Sequence, residues 1–142
     1  MNIKLSDKLR EIPSQAFQNC FMLNNVVIPE GVVSIGMDAF INCQKLEHIT
    51  LPSTLERIDR GAFYLCGNLK EISLPANLKD MGDFIFHHCT QLTDVYNYSL
   101  VPQTITDIFD KKCHITLHVP AESVELYQKA PIWNNCVVVG IE

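Results

Sequence analysis

Apolar and polar residues alternate in short stretches along this chain, and the segment from residue 39 to residue 63 shows the pattern. It runs AFINCQKLEHITLPSTLERIDRGAF and begins and ends with the same Ala-Phe pair. Within it, Ile49 and Leu51 are apolar positions separated by one polar residue, and Pro52 follows directly. Such alternation predicts a short strand with one buried face, which the proline ends because it cannot donate to a strand ladder.

The same pattern returns every 23 residues, which is typical of a repeat protein. Ile3 and Leu5 fit the pattern upstream, and beyond Asn97, which stands at an apolar position, the register decays. The aligned positions include Phe17, Phe40, Phe63 and Phe86; Cys20, Cys43, Cys66 and Cys89; Leu23, Leu46, Leu69 and Leu92; and Val26, Ile49, Ile72 and Val95. A single turn of this size cannot bury its own apolar face, so we predict turns that stack on one another.

These patterns predict a right-handed solenoid of 23-residue repeats, with a short parallel β-sheet on one face and turns or short helical turns on the other. We expect one mainly parallel sheet, with strands near residues 25–28, 48–51, 71–74, 94–96 and 116–119. Residues 1–100 hold the repeats, as a partial first repeat and then about four turns. Residues 101–142 form a small α/β capping segment, with a short helix over 121–130, Trp133 covering the last turn and a strand over 137–141.

The bulk composition narrows the classes of partner. The chain has 142 residues, a net charge of −5 and no basic stripe, which argues against nucleic acid. No apolar run approaches the roughly 18 residues of a membrane span. No apolar leader follows Met1, so the protein is either intracellular or a mature or truncated piece of an exported one. We expect a monomer without membrane insertion.

The repeats resemble the BspA-like, bacterial surface-antigen class of leucine-rich repeat. The resemblance lies in AFQNCFMLNNVVIPEGVVSIGMDAF and in the two copies that follow it, and Asp59 departs from the glycine found at Gly36 and Gly82. The last residues, ITLHVPAESVELYQKAPIWNNCVVVGI, look like the closing segment of such proteins in Bacteroidetes. The resemblance implies an extracellular or surface-associated binding protein, often linked with adhesion, and does not imply an enzyme.

The residues that could carry chemistry favour structural roles. The spacing of the cysteines contains no C-x₂-C pair, so we predict no zinc site, and we expect the four repeat cysteines to pack in the core. The states of Cys113 and Cys136 stay open. His87 and His88 fit a solvated loop better than a metal site, and His114 and His118 fit a chance pair on one strand face. Since no nucleophile-base pair or phosphate loop appears, we predict neither catalysis nor a cofactor.

The outward positions of the strands are the candidate ligand-binding residues, because the exposed sheets of solenoids commonly bind partners. They form two columns that become acidic toward the C-terminal end, and Tyr96 is the candidate anchor. The candidates are His48, Thr50, Glu71, Ser73, Asp94 and Tyr96. We predict a non-enzymatic module that contacts a protein or a glycan of unidentified structure. The alternatives are a structural spacer or cap region of a larger surface protein, and an intracellular scaffold if Met1 is the native start.

Overall fold

The chain folds as a parallel-strand solenoid, and the computed structural model describes residues 1–110 and 114–142. Most turns contribute one strand to a long face and a two-residue strand to a second, narrower face. In chain order the strands are β1 (Asn2–Ile3), β2 (Glu11–Ile12), β3 (Asn25–Val27), β4 (Ser34–Ile35), β5 (His48–Thr50), β6 (Arg57–Ile58), β7 (Glu71–Leu74), β8 (Asp80–Met81), β9 (Asp94–Asn97), β10 (Thr116–Pro120) and β11 (Val137–Ile141). The predicted leucine-rich-repeat solenoid is confirmed.

The strand pairing follows the repeat register. In β3 and β5, Val26 lies opposite Ile49, and in β7 and β9, Ile72 lies opposite Val95. The long face consists of two parallel ladders, β1-β3-β5 and β7-β9-β10-β11, which adjoin where β5 contacts β7. The sheet is therefore divided, whereas the sequence pattern predicts a single one. The strands β2, β4, β6 and β8 form the narrower ladder.

A stack of phenylalanine rings runs through the core. Neighbouring rings lie nearly parallel, with centroids 5.1 to 6.1 Å apart, in the order Phe17, Phe40, Phe63, Phe86 and Phe109. Offset stacking at this distance is favourable beyond the burial of the rings. Phe109 extends the series by another 23-residue step beyond the last phenylalanine that the sequence alignment included.

The repeat cysteines pack beside this stack and donate hydrogen bonds from their thiols. The sulfur of Cys43 lies 3.1 Å from the carbonyl oxygen of Phe17, and Cys66 and Cys89 make the equivalent contact one and two turns later. Burial raises the pKa of the Cys43 thiol to about 11 and that of Cys89 to about 12. Core packing is thus confirmed for these three, while Cys20 in the first full turn is half-buried. Cys113 lies outside the described residues.

The turns opposite the long face contain two columns of residues with left-handed backbone. Their φ angles lie between 56° and 67° at Gln15, Asp38, Gly61 and Phe84, and at Asn19, Asn42, Leu65 and His88. Each column keeps the 23-residue step. Their backbone amides bond across to the following turn, as when Asp38 N–H donates to the carbonyl of Arg60 at 3.0 Å. These lateral bonds hold residues such as Leu65 in a conformation that is costly for a bulky side chain.

The C-terminal segment packs against the last turn. The helix α1 (Val124–Lys129) follows a short 3₁₀ turn and packs with β10 and β11. Trp133 is fully buried and meets the ring of Phe109 edge-on, with centroids 5.9 Å apart. The Tyr127 hydroxyl donates to the carbonyl of Ser99 at 2.9 Å. The helix and Trp133 therefore cover the end of the phenylalanine stack.

A buried polar pair stands where the sequence repeat loses its register. Asn97 lies opposite Leu74 and still points inward, with no exposed surface. Its amide nitrogen donates to Gln103 at 2.8 Å, and the Gln103 amide donates in turn to the Leu78 carbonyl at 2.9 Å. The indole N–H of Trp133 donates to the Gln103 carbonyl at 2.9 Å. The pair thus links the last repeat to the closing segment, with its hydrogen-bonding groups satisfied.

Candidate functional site

The six candidate residues all lie on the outer side of the long face. Within β7 and β9 the register places Glu71 beside Asp94 and Ser73 beside Tyr96. In the other ladder His48 and Thr50 of β5 continue the columns of β3. His48, Thr50, Glu71 and Ser73 are exposed, whereas Asp94 and Tyr96 are half-buried. Alternation along the strands is the cause, because the residues between these positions enter the core.

Asp94 and Tyr96 are half-buried because β10 pairs with their strand β9. Thr116 lies opposite Asp94, and His118 lies opposite Tyr96. The His118 and Tyr96 rings are parallel within 9°, with centroids 4.2 Å apart. His118 Nε2 also lies 2.8 Å from Asp94 Oδ1. One histidine therefore touches both the acidic and the aromatic candidate, and it fixes their positions relative to each other.

Hydrogen bonding keeps the Asp94 carboxyl ionised. The contact with His118 and the hydroxyl of Thr93, which donates to Asp94 Oδ2 at 2.8 Å, hold the pKa of Asp94 below its ordinary value of 3.8. The carboxylate of the neighbouring Glu71 is exposed. Two acidic groups thus stand on adjacent strands about 4.8 Å apart, a spacing that favours a basic partner.

The ring of Tyr96 is covered on one side. His118 stacks on the face toward β10, while the opposite strand offers only the short side chain of Ser73. The side of the ring toward β7 therefore has a small side chain beside it, and Tyr96 as a whole is half-buried. A large amphipathic side chain that its neighbours hold in place is typical of the anchors that dominate binding energy.

His118 is the functional candidate that the sequence analysis missed. The sequence analysis considered His118 only together with His114, as two histidines on one strand face. In the structure His114 is exposed and lies before the start of β10. The alternation in TLHVP contains the signal, since Leu117 and Val119 point inward and His118 must point outward. The strand β11 pairs with β10 and extends the long face by one strand, on which Val137 is 65% exposed. The long face therefore continues past Asp94 and Glu71 and ends in the apolar strand β11.

His87 and His88 belong to the turns on the other side of the solenoid. His87 Nε2 lies 2.8 Å from Asp107 Oδ1, and its Nδ1 lies 3.2 Å from Asp110 Oδ1. The His88 amide donates to the Asp110 carboxylate at 3.0 Å. In earlier turns the equivalent amides, such as that of Leu65, donate to a backbone carbonyl of the next turn. At His88 the Asp110 carboxylate replaces this carbonyl as the acceptor.

Metal-binding clusters and membrane-spanning helices are both absent from the described residues. Across residues 1–110 and 114–142, His, Cys, Asp and Glu side chains form no group of three or more that could hold a metal ion. Within the same ranges no helix has the length and apolar character to span a bilayer.

Solved structures with the same architecture come from several bacteria. The pneumococcal vaccine antigen PcpA superposes with a TM-score of 0.74 over 99% of this chain and 42% of its own, at 24% identity, which shows the shared fold. A leucine-rich repeat protein of T. pallidum gives a TM-score of 0.71 over 84% of this chain and 59% of its own, at 28% identity. One from Bacteroides capillosus gives 0.59 over 68% and 74%, at 31% identity.

The chain spans less than two thirds of the first two of these structures. No curated protein matches it. The model of the BspA type leucine-rich repeat region matches six copies over residues 1–135. That match includes the turns with left-handed columns, the phenylalanine stack and most of the closing segment, and the chain therefore belongs to the BspA-type leucine-rich repeat family.

Proposed function

We propose that this chain is a non-enzymatic binding module that contacts a protein or a glycan through the long face. The observation that carries the proposal is the cluster of Asp94, Tyr96 and His118, in which an ionised carboxylate and a half-buried aromatic ring are held together. Glu71 and Ser73 complete the surface on the next strand. We call these five residues the acidic-aromatic patch.

The patch suits a partner with a basic surface. A flat sheet offers no deep pocket, so affinity must come from contact area and a few anchors. Tyr96 supplies the anchor, and the Glu71 and Asp94 carboxylates supply long-range attraction that salt screens. The neighbouring apolar residues of β11 enlarge the contact area beyond the patch. We therefore favour a protein with exposed lysine or arginine over a glycan.

We further propose that the module acts at the cell surface or outside the cell. The family supports this location, and PcpA, which shares the fold, is described as a vaccine antigen. A spacer or cap region of a larger surface protein would need no ligand, and an intracellular scaffold would bind cytoplasmic partners. Neither alternative explains why the half-buried ring of Tyr96 stands beside two carboxylates.

A binding screen with a matched control tests the proposal. The protein is screened against immobilised extracellular-matrix proteins and glycans, and each ligand found is measured again with the triple variant Glu71→Ala, Asp94→Ala, Tyr96→Ala. The control is Glu122→Ala, Asp7→Ala, Tyr98→Ala, which removes the same residue types at exposed positions outside the patch. The control changes should each cost less than about 0.5 kcal/mol. Melting curves verify that the patch variant, which loses the contacts of Asp94 and Tyr96 with His118, is folded.

We expect the patch variant to lose at least tenfold in affinity and the control to bind as the parent does. Affinity of the parent should also fall as salt is raised. Equal binding by both variants would show that the long face is not the site. A screen without ligands would favour the structural spacer.

A further inference from the structure

The turns opposite the long face contain a cleft of about 400 Å³. It spans three successive turns, and its lining residues fall into columns with the 23-residue step. One column contributes Asp38, Gly61 and Phe84, and the column beside it contributes Ile41, Tyr64 and His87. Equivalent positions of three successive turns therefore line the cleft, and their side chains differ from turn to turn.

Gly61 makes the room for this cleft. It occupies the left-handed column, in which Gln15, Asp38 and Phe84 all carry side chains. A Cβ atom on Gly61 would overlap a carboxylate oxygen of Asp38. The Asp38 carboxylate thus lies over the glycine, and Phe84 borders the space on the following turn. Glycine is needed here for space, because the same backbone conformation accepts larger residues elsewhere in the column.

Two opposite charges line the cleft without neutralising each other. The Arg60 guanidinium carbon lies 4.8 Å from the centroid of the Phe84 ring. Among the described residues, Asp38 and Arg60 side chains enter none of the ion pairs or side-chain hydrogen bonds. The Asp38 carboxylate can therefore accept hydrogen bonds from a ligand, and the Arg60 guanidinium can donate them.

The aromatic wall is held in place. Tyr64 lies parallel to His87, with centroids 6.4 Å apart, and Phe84 meets His87 edge-on at 5.0 Å. The carboxylates of Asp107 and Asp110 contact the two ring nitrogens of His87. Because the histidine is oriented from both sides, it supports the Tyr64 ring beside it, and both rings line the cleft.

We propose that this cleft binds a neutral sugar ring. A pyranose has an apolar C–H face that can pack on Tyr64, and its hydroxyls both donate and accept hydrogen bonds. Asp38 accepts from such hydroxyls, and Arg60 donates to them. A cationic ligand would meet Arg60, which already covers Phe84, and an anionic ligand would meet the carboxylate of Asp38. The volume lies within the range of small-ligand sites.

This sugar site is independent of the acidic-aromatic patch. Its residues lie in the turns, while the patch lies on β7, β9 and β10. A failure of one proposal therefore leaves the other intact, and the patch variant serves as an additional control for sugar binding in the cleft.

Amide chemical shifts in an NMR titration provide the test. The probes are the methyl glycosides of galactose, glucose and N-acetylglucosamine, with lysine amide and glutarate as charged comparisons. We expect saturable shifts at Gly61 and Tyr64 with at least one glycoside. Tyr64→Ala and Asp38→Asn should each weaken that binding at least fivefold. The controls Tyr98→Ala and Asp7→Asn, at exposed positions outside the cleft, should bind as the parent does.

Gly61→Ala gives a second variant, since the added methyl group competes with the Asp38 carboxylate for the same space. It should also weaken sugar binding, and melting curves verify that each variant is folded. The proposal is overturned if no glycoside gives saturable shifts in the cleft, if Tyr64→Ala binds as tightly as Tyr98→Ala, or if lysine amide or glutarate binds the cleft more tightly than every glycoside.

Discussion

The repeats and the closing segment both bury apolar side chains, but they organise them differently. In the repeats each buried group rests on its own equivalent, as Phe40 rests on Phe63 with rings 10° from parallel. In the closing segment Trp133 meets Phe109 at 73° and Tyr127 at 76°. Parallel stacking can continue indefinitely, whereas an edge-on contact stops the stack.

The two regions also differ in their buried polar groups. The repeats satisfy theirs with the same backbone bonds in each turn, and the thiols join this pattern through the phenylalanine carbonyls. The closing segment and its junction with the last repeat use side chains that occur once, namely Asn97 of the last repeat and Gln103 and Ser123 of the segment. Repetition therefore specifies the turns, while a single set of hydrogen bonds specifies where they end.

Removal of residues 121–142 should have the largest effect. It takes away α1, Trp133 and β11 and exposes the apolar end of the phenylalanine stack together with the edge of β10. An open strand edge invites association. We expect aggregation or the loss of a cooperative melt, measured by light scattering and circular dichroism. A soluble monomer with an unchanged melting temperature would show that the segment is an appendage.

Truncating one buried side chain should lower the free energy of unfolding in either region. Trp133→Ala should lower the free energy of unfolding by about 3–5 kcal/mol, and Leu69→Ala in the repeats by about 2–5 kcal/mol. Both side chains have no exposed surface. Urea denaturation measures the change. The control Leu126→Ala, at a helix position that is 51% exposed, should change stability by less than about 0.5 kcal/mol. A loss below about 1 kcal/mol at Leu69 or Trp133 would contradict the packing described.

For Asn97→Leu, the repeat pattern and the structure predict opposite changes in stability. The equivalent positions are Ile28, Leu51 and Leu74, so the pattern alone predicts that leucine stabilises the fold. In the structure the substitution leaves the Gln103 oxygen without its donor in a buried site. We expect a loss of about 1–3 kcal/mol in the same urea assay. A gain in stability would mean that the polar pair is dispensable.

Alkaline pH should weaken the repeats through their thiols. Burial raises the pKa of Cys66 well above its ordinary value of 9.0. A raised pKa favours the neutral thiol in the native state, so its stabilising effect is complete below pH 9 and is lost as pH rises toward the native pKa. Cys66→Ser removes this group and retains a hydroxyl that can donate to Phe40.

Unfolding free energies are measured for parent and Cys66→Ser from pH 8 upward. The parent should lose about 1.4 kcal/mol more per pH unit above 9 than the variant does. Identical slopes would contradict the effect of burial on the pKa of Cys66. In the native parent, thiol reagents should react faster with the half-buried Cys20 than with Cys43, Cys66 or Cys89, whose thiols are buried.

The sequence predicted the strands of the long face closely, because they depend on local alternation, but it did not predict the two-residue strands of the narrower face. The predicted strand over 71–74 corresponds to β7 (Glu71–Leu74), and the helix over 121–130 contains α1 (Val124–Lys129). It also predicted which side chains of each strand point outward. It missed His118, whose contact with Asp94 joins residues 24 positions apart across two strands. That contact depends on the register of β10 against β9, which no local pattern determines.

By itself, the sequence determined the period, the inward face of each strand and the stacking of like residues, because a fixed step places equivalent side chains at equivalent positions in successive turns. Only the tertiary structure decided what happens where the copies differ. It turned Asn97 and Gln103 into the buried link to the closing segment, opened the cleft at Gly61 and stacked His118 on Tyr96. These features depend on how unlike residues of neighbouring turns share space and hydrogen bonds, and periodicity carries no information about such pairs.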